Sequence, residues 1–328
     1  MRNRAIITLL SIVLVSFASG QGNVLPMTGK AARLYEQRNY EEAKTIIEEC
    51  VKAEGKEDPY TWHVMGHIFK EIYKNQEGAA KKNSADRTEA VKSFERCLQL
   101  DVEKKFLEWN STSLRFLGST YWNDAAALME NRKRDELPMA EKFFDAYLKI
   151  METLEDHGDL EQRKLDFHKA YATANRKIIE DLRNAKATPD KYEVELNRVI
   201  ESYKKALSID NNDYGANYNY AINLYNEAAY RIENIPIEAD LTHIILQQEG
   251  CIGIFEEALP IAKKAEDLKP GRIEILKALR AIYLGLNNYE EFDRYNNLIR
   301  EKQGEQIIQK RSQDALNKDI FKNRLNVD

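Results

Sequence analysis

Glycine and proline are scarce in this sequence. Its 328 residues include only 14 Gly and 7 Pro, roughly half the usual share of these residues in globular proteins. The scarcity excludes a collagen-like or low-complexity chain. It also argues against an all-β domain, because short strands need turn residues about every 8–12 positions. With 43% hydrophobic and 31% charged residues, the composition predicts a mostly helical protein with one large core or several small ones.

A basic surface is also missing. The formal net charge is −5, and the 49 Lys and Arg residues are scattered among 54 acidic ones. Because nucleic-acid binding depends on a concentrated positive face, we expect no nucleic-acid partner. Beyond the N-terminal region no apolar run is long enough for a transmembrane helix, so we expect no membrane span.

The first twenty residues have the organisation of a secretory signal peptide. Arg2 and Arg4 precede a thirteen-residue apolar run at 5–17, and residues 18–20 are small. The run is too short to cross a bilayer, and the small residues suit cleavage. The sequence therefore predicts a signal peptide at 1–20 and export to the periplasm or the medium. No Cys lies near the cleavage point, so we expect no lipid anchor.

Two kinds of helical motif recur along the rest of the chain. The first combines large apolar residues with a glycine, as in Trp62, Met65, Gly66 and Phe69, and again in Leu114, Leu117, Gly118 and Tyr121. The second has residues at i, i+4 and i+7, and it occurs four times: Ala90, Phe94 and Cys97; Ala140, Phe144 and Tyr147; Val199, Tyr203 and Ala206; Ala258, Ala262 and Ala265.

Together the motifs resemble the two helices of a tetratricopeptide repeat (TPR), and the chain resembles exported bacterial TPR-containing proteins. The resemblance implies an all-α fold, an α-solenoid of about six TPR-like helical hairpins wound into a right-handed superhelix. In such a hairpin, small residues such as Gly66, Gly118 and Ala90 let the helices approach closely. Large residues such as Phe94 and Phe144 fill the remaining space.

The spacing of the motifs departs from that of the family. Ala140 and Val199 are 59 residues apart, whereas Ala258 and Phe292 are 34 apart, the usual repeat length. The extra residues are polar, which predicts elongated central hairpins with loops near Gly78, Pro138, Pro189 and Pro236. We expect a repeat domain at 21–300 and a polar helix or tail at 301–328.

The three cysteines are too few for a disulfide framework, and no C-x-x-C pair occurs. Cys50 and Cys97 occupy the same small-residue position in successive second helices, so we expect both to be buried and too far apart to bond. Cys251 lies in a poorly matched stretch, where the pattern allows an exposed thiol, free or paired.

Motifs for catalysis or cofactor binding are absent from the sequence. It contains no G-x-S-x-G, H-E-x-x-H, Walker or dinucleotide-type glycine motif. His63 and His67 share a helix face at i and i+4 and could reach one metal ion, but the sequence suggests no third ligand. The sequence therefore predicts no enzyme, no catalytic residue, no cofactor and no metal site.

The helix register instead places a set of polar and aromatic residues on the inner, concave face of the superhelix. Tyr and Trp beside Asn and Arg form a lining suited to peptides. The predicted ligand groove consists of His63, His67, Arg115, Ser119, Trp122, Asn123, Tyr218, Ile222, Tyr225 and Asn226.

These features predict an exported scaffold that binds a protein or peptide through the groove and the hairpin tips. A glycan-binding TPR protein is the alternative, because aromatic and Asn side chains also suit sugar rings. A third hypothesis is an enzyme whose active-site residues converge only in the folded chain.

Overall fold

The structure is a computed structural model that describes residues 25–304, and every regular element in that range is a helix. The predicted signal peptide and most of the predicted tail lie outside the described residues. No helix within 25–304 is long and apolar enough to cross a membrane. The predicted all-α class is confirmed.

The chain divides into two compact units. The first comprises residues up to Asn131 together with Asp135–Leu160. It is built from three antiparallel pairs, α1 with α2, α3 with α5, and α6 with α7. Its helices are α1 (Pro26–Glu36), α2 (Tyr40–Lys52), α3 (Pro59–Asn75), the short α4 (Gly78–Lys82), α5 (Ala85–Leu100), α6 (Leu107–Asn131) and α7 (Met139–Thr153).

The second unit comprises Arg132–Arg134 and the residues from Glu161 onward. Its helices are α8 (Leu160–Asn184), α9 (Glu193–Ile209), α10 (Tyr214–Glu233), α11 (Leu241–Leu268), α12 (Ile273–Gly285) and a last helical segment at 289–304. Within it α10 packs against α11 as a hairpin, and Tyr283 of α12 stacks on Tyr295 of the last helical segment.

Helix ends follow from local sequence signals. Asp58, Ser84, Asp213 and Asp240 each accept a backbone N–H of the first turn of α3, α5, α10 and α11, respectively. Such caps satisfy amide groups that have no partner within the helix. The interhelical segments that follow α6, α8 and α10 contain the predicted loop residues, and Gly78 opens the short α4. The longest helices are α6, α8 and α11, with 25, 25 and 28 residues, whereas α7 and α9 have 15 and 17, so the extension expected for both helices of each central hairpin falls mainly on one of them.

Close packing within the pairs confirms the predicted contacts of Gly66 and Gly118 between the two helices of a hairpin. A Cβ atom on Gly66 of α3 would lie 2.6 Å from the Phe94 ring of α5, and one on Gly118 of α6 would lie 3.0 Å from Cε of Met151 in α7. Sequence analysis missed a third close contact, which joins the α10–α11 hairpin to the next helix: a Cβ on Gly285 of α12 would come within 2.5 Å of the Phe255 ring of α11.

All three cysteines are buried and free. The expectation for Cys50 and Cys97 is confirmed, and both are fully buried. Cys251, for which the pattern allowed an exposed position, is 1% exposed. It is buried because it shares a face of α11 with Phe255 and Ala258, at i+4 and i+7, and that face belongs to the core of the second unit.

A pair of glycine substitutions tests the helix seam. We expect Gly66→Ala to lower the free energy of unfolding of the first unit by about 1–2 kcal/mol, because the buried Phe94 ring must move. Gly253→Ala should instead stabilise α11 by about 0.5–1 kcal/mol, since its Cβ meets no atom within 4 Å. Urea unfolding followed by hydrogen exchange of each helix measures both changes. A neutral or stabilising effect of Gly66→Ala would contradict the close contact of Gly66 with the Phe94 ring.

Candidate functional site

His63 and His67 are neighbours on α3, where His63 is buried and His67 is half-buried. Their ring centroids are 4.6 Å apart, and the His63 ring stacks on Phe106 at the same distance. The His63 side chain is 4% exposed, and its Nδ1 lies 2.7 Å from Oδ1 of Asn110 in α6. The structure thus places His63 in the interior of the first unit, in contrast to the groove position expected from the register. The register missed this because Asn110 and Phe106 cover that face.

Burial keeps both imidazoles neutral. It lowers the pKa of His63 to about 4, although the Asn110 hydrogen bond opposes the shift. Burial also lowers the pKa of His67 well below 6.5, and the nearby Lys70 charge adds to the effect. The Lys70 ammonium lies 3.2 Å from His67 Nδ1 and donates to Ser113 Oγ at 3.1 Å. Its own pKa falls to about 8 because it too is buried.

This cluster lacks the ligands of a metal centre. Within residues 25–304 no group of three or more His, Cys, Asp or Glu side chains could hold a metal ion. The polar contacts of His63, His67 and Lys70 go to one another, to Asn110 and to Ser113. The arrangement is therefore suited to joining α3 to α6 through hydrogen bonds.

The α6 residues of the predicted groove form an open polar line. Arg115, Ser119 and Asn123 are exposed at i, i+4 and i+8. Arg115 pairs with Asp156 at 3.4 Å, and the Ser119 hydroxyl donates to the Arg115 carbonyl. Trp122 is half-buried, and its ring centroid lies 5.4 Å from that of Tyr147. The tryptophan thus packs across the α6–α7 pair.

The α10 residues of the predicted groove form an aromatic line in the second unit. Tyr218, Ile222 and Tyr225 are half-buried and Asn226 is exposed. Each of the three apolar side chains packs one side against the core. The line continues to Tyr214, whose ring is parallel to that of Tyr218 with centroids 5.9 Å apart. We refer to these residues, 214 to 226 on one side of α10, as the α10 stripe.

Charged groups surround the N-terminal end of the α10 stripe. Nζ of Lys269 lies 4.7 Å from the Tyr214 ring centroid, and the Tyr214 hydroxyl donates to Glu274 at 3.4 Å. Burial and the Glu274 charge raise the pKa of Tyr218. The stripe therefore combines apolar faces with fixed hydrogen-bonding groups, a combination found at protein-binding surfaces.

Sequence reasoning missed a buried arginine in the first unit. The Arg87 side chain is 1% exposed and pairs with Asp124 at 2.6 Å. Its guanidinium lies 3.9 Å from the Tyr121 ring centroid and 5.1 Å from that of Tyr73. The charge is stabilised by both the carboxylate and the aromatic faces.

The second unit contains a similar arrangement. Arg183 contacts the buried Glu227 and lies 4.4 Å from the Tyr230 ring centroid and 5.0 Å from that of Tyr192. The signal that could have revealed both sites is an arginine near a hairpin loop with tyrosines close to it on neighbouring helices.

A shallow cleft of about 430 Å³ lies between α2, α3 and α5. Its floor is apolar, its rim is charged, and Lys44 and Asp86 on the rim form an ion pair at 2.7 Å. The lining residues are Lys44, Glu48, Val51, Lys52, Trp62, Met65, Phe69, Ala85, Asp86 and Glu89.

Comparisons with known proteins give a structural likeness but no sequence match. No protein-family model matches the sequence, and no curated protein matches it. Among solved structures the chain is similar to YrrB, described as a TPR protein with an unusual peptide-binding site. The identity is 12%, the alignment covers 92% of this chain and 97% of YrrB, and the TM-score is 0.30. The helical hairpins are therefore inferred from the contacts between the helices described above.

The buried arginine yields an asymmetric prediction. Asp124→Ala should lower the free energy of unfolding by about 2–3 kcal/mol, because it leaves a buried guanidinium without its carboxylate. Arg87→Met should cost only about 1 kcal/mol, since Asp124 is 29% exposed and can be hydrated. Glu57→Ala, which breaks an exposed pair with Arg96, is the control and should change stability by less than about 0.5 kcal/mol. Urea unfolding measures all three changes. A larger loss of stability for Arg87→Met than for Asp124→Ala would contradict the stabilisation of the buried Arg87 charge by Asp124.

The two neutral histidines predict a pH dependence of stability. Because an unfolded histidine binds a proton near pH 6.5 and the folded ones do not, stability is complete above that pH and falls as the pH drops toward 4. Each histidine should contribute a slope of about 1.4 kcal/mol per pH unit. In urea unfolding between pH 7 and 5, His63→Gln should remove one such contribution. Equal slopes in the native protein and in His63→Gln would contradict the burial of His63.

Proposed function

We propose that this protein is a non-enzymatic scaffold that binds a protein or peptide on the open faces of its helical hairpins. The observation that carries the proposal is the α10 stripe, an aromatic and aliphatic line half open to solvent. Its ends, Tyr214 and Tyr225, are eleven residues apart, which corresponds to roughly 16 Å along a helix. An extended segment of about five residues has the same length.

The chemistry of the α10 stripe favours a peptide over a sugar. Tyr214 and Tyr218 stack face to face, and Lys269 lies over Tyr214. These contacts cover ring faces on which a sugar would stack. A peptide needs only apolar edges for its side chains and polar groups such as Asn226 for its backbone.

The histidine cluster supports a scaffold rather than a catalyst. General acid–base catalysis depends on a titratable group with a pKa near the working pH and within reach of a substrate. His63 is buried with its Nδ1 held by Asn110, and its pKa is far below neutrality. The α6 line of Arg115, Ser119 and Asn123 is the open polar face of the first unit, and we include it as a second binding surface.

Export remains part of the proposal. It rests on the order of charges, apolar residues and small residues at 1–20. A partner would then be met outside the cytoplasm, in the periplasm or the medium.

Photo-cross-linking from one position tests the proposed surface. A photoreactive amino acid in place of the exposed Asn226 should yield protein adducts in the native compartment, and one at the exposed Asn197 of α9 should not. Tyr218→Ala, combined with the photoreactive amino acid at position 226, should lower the adduct yield about tenfold, because truncation of an interface anchor costs more than about 1 kcal/mol. Adducts sensitive to glycosidase and not to protease would indicate the glycan alternative. Equal yields at both positions would overturn the proposal.

A further inference from the structure

The α10–α11 hairpin continues beyond the core of the second unit. The last buried residue of α10 is Ala228, and the first of α11 is Cys251. The ten residues at 241–250 that begin α11 thus include no buried side chain, although they form about 15 Å of regular helix. We call residues 229–250 the hairpin tip.

The hairpin tip exposes an unusual number of large aliphatic side chains. Ile237 is 97% exposed, Leu241 72% and Leu246 63%. Ile232 and Ile245 are also exposed. Scattered single apolar residues are common on protein surfaces, whereas a concentration of them marks an interaction site. Leu241 and Ile245 share one face of α11 at i and i+4, and Leu246 lies on a different face.

One face of α11 also has two glycines with open space beside them. Leu246, Gly250 and Gly253 lie at i, i+4 and i+7 on one face, and a Cβ on either glycine would meet no atom within 4 Å. A helix in isolation gains nothing from these glycines, which lower its stability. A second helix, however, could approach closely there while its side chains meet Leu246.

The charge around the tip is mainly negative. From Ile232 to Ala262 the sequence has six acidic residues and no Lys or Arg, and Arg231 at the start of the tip is paired with Glu227. Glu233, Glu238 and Glu249 are exposed, and within residues 25–304 none of the three has an ion-pair partner. The aliphatic group is therefore framed by carboxylates that are available to a cationic partner.

We propose that the hairpin tip is a docking site for a basic amphipathic helix of a partner protein. The partner would supply apolar residues at i, i+4 and i+7 toward Leu246 and the face of Gly250 and Gly253, with Lys or Arg on the flanks toward Glu238 and Glu249. A second copy of this chain fits less well, because a symmetric contact would oppose two acidic tips. An anionic membrane would likewise repel the carboxylates.

This inference rests on the scaffold proposal and adds a surface to the α10 stripe and the α6 line, and it is tested separately from the α10 stripe. A display library of random 20-residue segments is selected against the full-length protein. We expect enriched sequences with helical apolar spacing and a net positive charge. Their affinity should fall at least about tenfold for Leu241→Ser/Leu246→Ser, the loss expected for buried anchors.

Charge reversal and matched controls complete the experiment. Glu238→Lys/Glu249→Lys should weaken the same peptides several-fold, and added salt should reduce their affinity for the native protein. The controls are Val194→Ser, which removes another exposed aliphatic residue, and Glu193→Lys on the same helix α9, and both should bind as the native protein does. Circular dichroism confirms that each variant is folded.

Three outcomes would overturn the docking site: no enrichment, enrichment of acidic sequences, or equal binding to the Leu241→Ser/Leu246→Ser variant. Self-association that is abolished by the same variant would assign the tip to a second copy and would also overturn it. Peptides that lose affinity only on Tyr218→Ala would leave the scaffold proposal in place while removing the hairpin tip from it.

Discussion

Three helix–helix contacts in this protein are close because one of the two helices lacks a side chain where they touch. Gly66 lies against the Phe94 ring, Gly118 against Met151, and Gly285 against the Phe255 ring. Each contact brings an aromatic or long apolar side chain into the seam, where it excludes water and fixes how the helices slide along each other. The polar residues of the paired helices must then be exposed or find partners in the interior.

The polar groups that do enter the interior occur as sets with several partners. Arg87 has Asp124 and the face of Tyr121, and Arg183 has Glu227 and the face of Tyr230. Both arginines lie near hairpin loops, beyond the part of the pair that a standard repeat would contain. A buried charge costs free energy unless it is paired, so each set penalises any shift of register at the extended end of a hairpin.

Much of the fold could be predicted from the sequence because hairpin packing follows local spacing. Gly66, Phe94 and the loop near Pro138 are all read from patterns within one or two helices. The candidate site depended on contacts that spacing does not encode. His63 is buried because Asn110, 47 residues later, covers it, and Arg87 meets a carboxylate 37 residues away. The placement of Cys251 was missed because α11 extends far beyond the repeat motif on which the register was based.

The burial of the three thiols links oxidation to unfolding. Burial raises the pKa of Cys97 to about 12 and also raises that of Cys251, so the reactive thiolate is rare in the folded chain. An oxidant or a foreign disulfide therefore reaches these sulfurs only through an opened state. In the oxidising compartment that the proposed export would give, a thiol that forms a mixed disulfide could no longer repack beside the helix seam. Oxidation would then trap the opened state, and the lifetime of the protein would depend on its opening rate as much as on its equilibrium stability.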